Sequence, residues 1–185
     1  MSTTTEGATA ISTCAATRPA PTCPSIPISG DIVGLLCLRR AASGGLSSVV
    51  SAVTVHNEIL KRHPEYLEPL YRGFHYIRRE AALTESPVTP HRLPVFGARD
   101  GLISVRLIRN QINAACTKTG IPLKPIERSA LDLFDELAQD PDIHLDMDLE
   151  VGDIQFCNNY VTLHSRTSYV DFPSPSAGAT WSGCG

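Results

Sequence analysis

The chain has 185 residues and a mass of 20.0 kDa, enough for one domain, with or without a tail, and for a sizeable buried core. Hydrophobic residues make up 42% of it and charged residues 19%, a balance typical of a folded protein rather than a disordered one. The net charge of −3 argues against a protein that coats nucleic acid or an acidic membrane surface. No run of about 18 apolar residues predicts a membrane-spanning helix.

The first 30 residues differ in composition from the rest. Ser, Thr, Ala and Pro occupy 20 of these 30 positions, and Glu6 and Arg18 are the charged side chains. Such a segment buries too little apolar surface to offset the entropy of ordering its backbone, so we predict a disordered tail over 1–30. It lacks the basic start and the apolar stretch of a secretory signal.

Six cysteines are spread along the chain without the close pairs of a zinc site or the pattern of a disulfide framework. Cys37 and Cys157 lie inside apolar segments, and we predict that both are buried free thiols. A reducing, cytoplasmic setting is therefore expected.

Residues 31–173 predict an α+β domain that starts with a strand and a helix. The apolar run 32–38 has the length of a buried strand. The segment 43–45 predicts a turn, after which Ser47 or Ser48 is placed to cap a helix. The apolar face of that helix is expected to comprise Val49, Val53, His56 and Leu60.

Three more helices are predicted further along the chain. The first covers 64–71 and begins with a proline, the second covers 109–116, and a polar connection over 81–93 separates them. The third is expected to pack on the core through Ile126, Ala130, Leu133 and Leu137. Its water-facing side is expected to carry Asp132, Asp135 and Glu136.

Strand signals occur in the middle and near the end of the domain. The pair 100–101, Asp-Gly, lies between apolar stretches at 94–96 and 102–107, which is a strong signal of a two-residue hairpin turn. The segment 144–149 alternates with a period of two, as an edge or half-buried strand does, and 154–157 predicts another strand.

The segment 152–166 is the most informative part of the sequence. A turn at 152–153 leads into a strand, which ends in a polar corner at Asn158 and Asn159, and a second apolar stretch then carries His164. From spacing alone, a histidine at a strand end is more often structural than a metal ligand. The other histidines are expected at a helix edge (His56), at the surface (His63, His75 and His91) and at a strand start (His144).

Three blocks of sequence occur in the order of a known family. They are DIVGLLCLRRA at 31–41, SGGLSS at 43–48, and GDIQF, NNY and LHSR within 152–166. Together they resemble the TauD/TfdA family of Fe(II)- and 2-oxoglutarate-dependent dioxygenases over 31–173. The resemblance implies a double-stranded β-helix, or jelly roll, with flanking helices. It also implies an oxidoreductase that hydroxylates a small-molecule substrate. The sequence does not indicate the substrate or the oligomeric state.

The resemblance can be carried over to three positions. His164 matches the second iron-binding histidine of the family. Ser47 falls where the family has a hydroxyl beside the 2-oxoglutarate carboxylate. From the residues alone, a helix-capping role for Ser47 is equally consistent. Asp31 matches a family acid that is not a metal ligand.

Other functional positions do not match. The first histidine and the acid of the iron site should lie where the chain has Ile26 and Ile28, and the 2-oxoglutarate arginine should lie where it has Ala179. We therefore expect an incomplete jelly roll, with aberrant segments at 1–30 and 174–185, an unpaired sheet edge, and no activity of the chain as written. A catalytically inactive remnant, or a binding domain of the same fold, is the alternative function.

One cause would explain both mismatched ends. Codons for 25–28, read one base earlier, are compatible with Phe-His-Thr-Asp, and codons for 176–180 are compatible with Arg-Arg-Arg-His, a run that resembles the family's. The hypothesis is that both ends are out of frame relative to a normal family gene, and natural divergence is the alternative. The nucleotide sequence tests it, because the idea fails if no one-base shift yields these residues.

Three arginines near the site have alternative roles, whereas two asparagines have one expected role. Arg106 and Arg109 lie in a region that borders the family's pocket, where they either meet an anionic substrate group or, more simply, act as surface charges. Arg166 lies on the same strand face as His164, where it either braces the site, pairs with an acid or is solvated. Asn158 and Asn159 are expected to satisfy backbone groups at the corner.

Overall fold

The computed structural model describes residues 31–78 and 86–172 and the backbone of 181–184. These ranges form an α+β arrangement of helices and antiparallel strands, as predicted. The helices are α1 (Ala52–Arg62), α2 (Leu67–Arg72), α3 (Arg109–Thr119) and α4 (Pro125–Ala138), with a 3-10 turn at Pro64–Tyr66. The strands are β1 (Ile32–Cys37), β2 (Ser43–Gly44), β3 (Ser47–Ser51), β4 (Phe96–Arg99), β5 (Leu102–Val105), β6 (His144–Met147), β7 (Ile154–Asn158), β8 (Thr162–Arg166), β9 (Tyr169–Val170) and β10 (Trp181–Cys184). Among the described residues, no helix combines the length and the apolar character needed to cross a membrane.

Two three-stranded antiparallel sheets position the site. In one, β1 lies between β7 and β10, and in the other β3 lies between β6 and β8. The turn at 159–161 carries the chain from β7 to β8, and so from one sheet to the other. The Ser47 hydroxyl donates a hydrogen bond of 2.6 Å to the side-chain carbonyl of Gln155 in the opposite sheet. The inner faces of the two sheets therefore face each other.

The pairing of β10 corrects one expectation. We expected an unpaired edge where the C-terminal segment fails to match the family, but the backbone of β10 pairs with β1 from Trp181 to Cys184. The pairing depends on backbone groups, which every residue except proline supplies in full, so a mismatched sequence still forms the ladder. The predicted tail over 1–30 lies outside the described residues.

The hydrophobic core lies on the helix side of the sheet that contains β3. Val50 and Leu163 are cross-strand partners in β3 and β8, and they belong to the same buried cluster as Ile59 of α1 and Phe134 of α4. Full burial of one such side chain stabilises the fold by roughly 1.5–3 kcal/mol. The helices thus cover the outer face of this sheet with apolar side chains.

The first helix begins later than predicted. Ser47 and Ser48 belong to β3, so neither caps a helix, and the cap is Ser51, whose hydroxyl accepts a hydrogen bond of 3.3 Å from the backbone N–H of Thr54. The buried residues of α1 are Ala52, Val55, His56 and Ile59, and of the predicted stripe only His56 lies among them. Pairing of β3 with strands on both sides outweighs the local capping signal.

The predicted turn at 43–45 is also only partly correct. Ser43 and Gly44 form β2, which pairs with β9. Gly44 has a φ of +67°, and a Cβ there would lie 2.2 Å from the Ser168 carbonyl oxygen, so the close approach of β9 requires glycine. The Asp-Gly hairpin is confirmed, because Asp100 and Gly101 have φ values of +53° and +79° between β4 and β5.

The last helix, α4, is rotated relative to the prediction. Ala130 and Leu137 are buried as expected, but Ile126 is 40% exposed. Glu127 is buried instead, because its carboxylate accepts the Lys124 backbone N–H at the start of the helix. The short helix at 64–71, the helix from 109, and the strands after 144 match their predictions.

Candidate functional site

His164 lies in the middle of β8 and is 2% exposed. Its cross-strand partner is Val49, and Ser47 is the partner of Arg166. Partners in an antiparallel pair share a face, and residues two apart on a strand share a face. Because Ser47 hydrogen-bonds Gln155 across the two sheets, His164 and Arg166 also lie on the inner face.

The His164 ring has the protonation and the free lone pair that a metal ligand needs. Neither Nδ1 nor Nε2 has a hydrogen-bond partner within the described residues. Burial lowers the pKa of His164, which favours the neutral imidazole with a free lone pair. An unsatisfied buried polar group costs about 1–3 kcal/mol, so the fold keeps this ring at a cost in stability.

The rest of an iron site is not found beside His164. A facial site for non-haem Fe(II) uses two histidines and a carboxylate. In 31–78 and 86–172, no group of three His, Cys, Asp or Glu side chains has the geometry to hold a metal ion. Positions 26 and 28 lie outside the described residues, and isoleucine side chains offer no donor atom. His164 therefore fits Fe(II) as one ligand, but the residues that the structure describes do not make up the full set.

Ser47 is fully buried on the same face as His164. Its hydroxyl donates to Gln155, and the Gln155 amide in turn donates to the Cys157 sulfur at 3.0 Å. Cys37 and Cys157 are buried free thiols, as predicted. The assignment of Ser47 to the co-substrate carboxylate stays a prediction. Sequence reasoning missed Gln155, although its alternation with Cys157 on one strand was the available signal.

Arg166 is held in place on both sides. Its guanidinium carbon lies 4.0 Å from the centroid of the Tyr169 ring, and its Nε contacts the Gly45 carbonyl oxygen at 3.4 Å. A fully solvated Arg166 is therefore excluded. Tyr169 was not singled out from the sequence, because its contact depends on the turn that brings β9 back onto β2.

The remaining candidates lie elsewhere or have structural roles. Arg109 is mostly buried and forms ion pairs of 2.5 Å with Asp132 and 3.4 Å with Asp135, so the prediction of a surface charge is wrong for it. Arg106 is exposed, as expected of a surface charge. At the corner, the Asn158 side chain accepts the Tyr160 backbone N–H at 3.0 Å, as predicted.

Asp31 also has a structural contact. Its carboxylate accepts a hydrogen bond of 2.6 Å from the Tyr160 hydroxyl, which ties the start of β1 to the turn between β7 and β8. The position proposed for the co-substrate arginine, 179, lies outside the described residues. Its assignment stays a prediction.

A family model described as "Taurine catabolism dioxygenase TauD, TfdA family" matches residues 24–180. The chain is 38% identical over 143 residues to FR-33289 synthase of Streptomyces rubellomurinus, covering 76% of this chain and 42% of that protein. It is 28% identical over 144 residues to the taurine hydroxylase-like protein SAT17 of Stachybotrys chartarum, covering 76% and 36%. The chain thus spans less than half the length of these relatives.

Solved structures with the same fold include two oxygenases. Asparagine oxygenase in complex with Fe(II), 2S,3S-3-hydroxyasparagine and succinate aligns with a TM-score of 0.59 at 19% identity, covering 83% of this chain and 44% of that one. The non-heme iron oxygenase OrfP in complex with Fe and alpha-ketoglutaric acid aligns with a TM-score of 0.52 at 16% identity, covering 85% and 44%. At these identities the likeness establishes a shared fold.

Proposed function

Because the chain belongs to the TauD/TfdA family of dioxygenases, we propose that it carries the jelly-roll core of a small-molecule hydroxylase. The proposed reaction is hydroxylation of a C–H bond with Fe(II), 2-oxoglutarate and O₂. Solved relatives hold hydroxylated asparagine or arginine, which supports a substrate of amino-acid size. When bound, the iron and its co-substrate supply the oxidising chemistry, and the protein orients the reactants.

One observation carries this proposal: His164 is a buried imidazole on the inner face whose two ring nitrogens have no partner among the described residues. A structural histidine at such a position would normally be hydrogen-bonded. Its match to the second iron-binding histidine of the family supports the same role. We propose that His164 is a metal ligand.

A binding domain without catalysis is the second candidate, and the donor set favours it. Ile26 and Ile28 occupy the positions that match the other ligands of the family, and one imidazole does not make a facial site. We therefore expect the unmodified chain to bind Fe(II) weakly and to form no succinate from 2-oxoglutarate. Substantial succinate formation would overturn this expectation.

The test restores the missing donors. We expect the Ile26→His, Ile28→Asp double variant to bind Fe(II) under anaerobic conditions more tightly than the wild-type chain does. The gain should exceed the roughly tenfold to hundredfold effect of an outer-shell partner, because these residues would be ligands themselves. Adding His164→Ala should abolish the gain. A gain that survives His164→Ala would contradict the proposed role of His164.

A further inference from the structure

The sheet that contains β1 has an outer face that is apolar and exposed. Gln155 on β7 faces inward, because it accepts the Ser47 hydroxyl, so the residues that alternate with it and their partners on β1 face outward. The apolar outer face, as we call it, consists of Ile32, Gly34, Leu36, Ile154 and Phe156. None of these residues is charged, and Ile32, Ile154 and Phe156 are 59%, 58% and 72% exposed. An exposed apolar face of this kind marks an interaction site.

The apolar outer face has a notch at its centre, at Gly34. Gly34 has no side chain, and its neighbours on this face are Ile32 and Leu36 on the same strand and Phe156 directly opposite on β7. A glycine inside a strand often marks a place where another backbone approaches closely. The face therefore combines an exposed aromatic ring with a gap beside it.

A segment that suits this notch lies in the sequence before β1, outside the described residues. Residues 18–24 are Arg-Pro-Ala-Pro-Thr-Cys-Pro. Prolines favour the polyproline II helix, which has three residues per turn, so Arg18, Pro21 and Pro24 share one edge, and Ala20 and Cys23 share a second. Prolines three residues apart dock into grooves lined by aromatic side chains, because the helix is already extended before it binds.

We propose that residues 18–24 dock on the apolar outer face as an extended segment, with Pro21 and Pro24 against Phe156 and the notch at Gly34. The segment is tethered at one end of this face, because the connection 25–30 leads directly to β1. Six residues reach at most about 20 Å, which is enough to place residue 24 over the start of the strand. The connection itself makes no part of the contact.

The size of the apolar outer face favours this segment over a second copy of the chain. Five residues along two strands cover roughly 16 Å by 10 Å. A stable interface between two proteins buries about 800 Å² on each partner, which is several times larger. Seven residues of polyproline II extend about 20 Å and so match the length of the face. Because the tether gives an effective concentration in the millimolar range, a weak contact is sufficient.

The charges at the far end of the face fit one direction of binding. A segment that runs antiparallel to β1 brings Arg18 to the end where Asp153 precedes β7. The exposed Asp153 carboxylate accepts the Glu150 backbone N–H at 2.8 Å and keeps further lone pairs for a cation. The exposed Arg39 lies just past the same end and competes for this charge. We therefore expect Arg18 to contribute less to docking than the prolines do.

Alkylation of Cys23 measures the docking, because Cys23 lies between the two prolines, whereas Cys14 lies in the same tail outside the segment. The rate with iodoacetamide is measured for each thiol by peptide mapping of the full native chain, relative to its rate in urea. A dissociation constant of about 0.1 mM and an effective concentration of about 1 mM would slow Cys23 about tenfold. Cys14 should be slowed about twofold or less.

Two variants remove the docking site at exposed positions. Phe156→Ser removes the aromatic ring and should return Cys23 to within about twofold of its rate in urea. Gly34→Val fills the notch with a residue that favours strands, and it should have the same effect. Arg18→Gln should reduce the protection by a smaller factor. Leu102→Ser is the matched control, because Leu102 is exposed on the β4–β5 hairpin, and it should leave the protection unchanged.

Equal relative rates of Cys23 and Cys14 in the wild type would overturn the proposal. Protection of Cys23 that survives both Phe156→Ser and Gly34→Val would overturn it as well. Protection that falls when the chain is diluted would overturn the tethered contact, because it would show that a second copy supplies the segment. The measurement uses no metal, so its outcome is independent of the Fe(II) titration that tests the proposed function.

Discussion

The two faces of the β3–β8 ladder differ in chemistry, although they alternate along the same strands. The face towards the helices carries Val50 and Leu163 within the hydrophobic core. The inner face carries Ser47, His164 and Arg166, and the His164 ring has no hydrogen-bond partner in the described part of the chain. Because the helices already supply apolar burial, the inner face can hold polar groups at a cost in stability. We infer that the helix side stabilises the fold and the inner face binds ligands.

The largest effect on stability is expected on the helix side. Leu163→Ala removes a fully buried side chain and leaves a cavity in the core, which should lower the free energy of unfolding by about 2–5 kcal/mol. Urea denaturation measures the loss. Leu102→Ala is the control, because Leu102 is 75% exposed and should cost less than about 0.5 kcal/mol. Equal effects of the two variants would contradict the proposed role of the helix side.

The stability of the helix side should depend on pH, because Asp135 is an ionisable group that lies between α3 and α4. Burial raises the pKa of Asp135 to about 6 from its ordinary value of 3.8, although Arg109 opposes the rise and Asp132 adds to it. The folded state therefore holds this proton more tightly than the unfolded chain does. Stability should fall as the pH rises from about 4 to 6, by about 3 kcal/mol at most.

Asp135→Asn tests this pH dependence. The variant should be more stable than the wild type above pH 6, and the difference should vanish near pH 4. Denaturation at a series of pH values measures it. A wild-type chain that gains stability over the same range, relative to Asp135→Asn, would contradict the assignment.

Glu127 lies on the same helix as Asp135, but its buried carboxylate has a hydrogen bond and two ion pairs. Burial alone would raise the pKa of Glu127, but the Lys124 N–H and the guanidinium groups of Arg92 and Arg72 outweigh it, so the pKa is lowered. Its stabilising effect is present at neutral pH and lost as the pH falls through the lowered pKa. Glu127→Ala should cost about 2 kcal/mol at pH 7, since it removes both ion pairs and the helix cap.

The control for Glu127 is Glu65→Ala. Glu65 is an exposed acid that pairs with His63, and its removal should destabilise the fold much less than removal of Glu127, because water screens an exposed ion pair. A Glu127→Ala variant as stable as Glu65→Ala would show that the buried ion pairs do not stabilise α4. Thermal unfolding compares the two variants.

The smallest effect is expected on the inner face. Ser47→Ala removes one hydrogen bond to Gln155 and should cost about 1 kcal/mol, measured by urea denaturation. A loss of stability as large as that of Leu163→Ala would show that the inner face is part of the structural core.

Sequence patterns predicted the elements that depend on local signals. The Asp-Gly hairpin, α3 and the strands around 152–166 are examples, because turn chemistry and periodicity determine them. The strand β3 was missed, since its pairing with β6 and β8 depends on residues about a hundred positions away along the chain. Resemblance to the family made His164 a candidate metal ligand. The proximity of Ser47 and Arg166 could not be predicted, because it depends on the register of the β3–β8 ladder. The burial of Asp135 depends on the packing of Arg109 from another helix.

The claim that the inner face is suited to binding rather than to stability is tested most directly by His164→Leu. The free energy of unfolding of this variant and of the wild type is measured by urea denaturation in the presence of a chelator. Leucine fills a similar volume and removes two buried nitrogens that have no partner in 31–78 and 86–172, so we predict a gain of about 1–2 kcal/mol. A loss of stability would contradict the account, because it would show that the His164 ring holds the fold together.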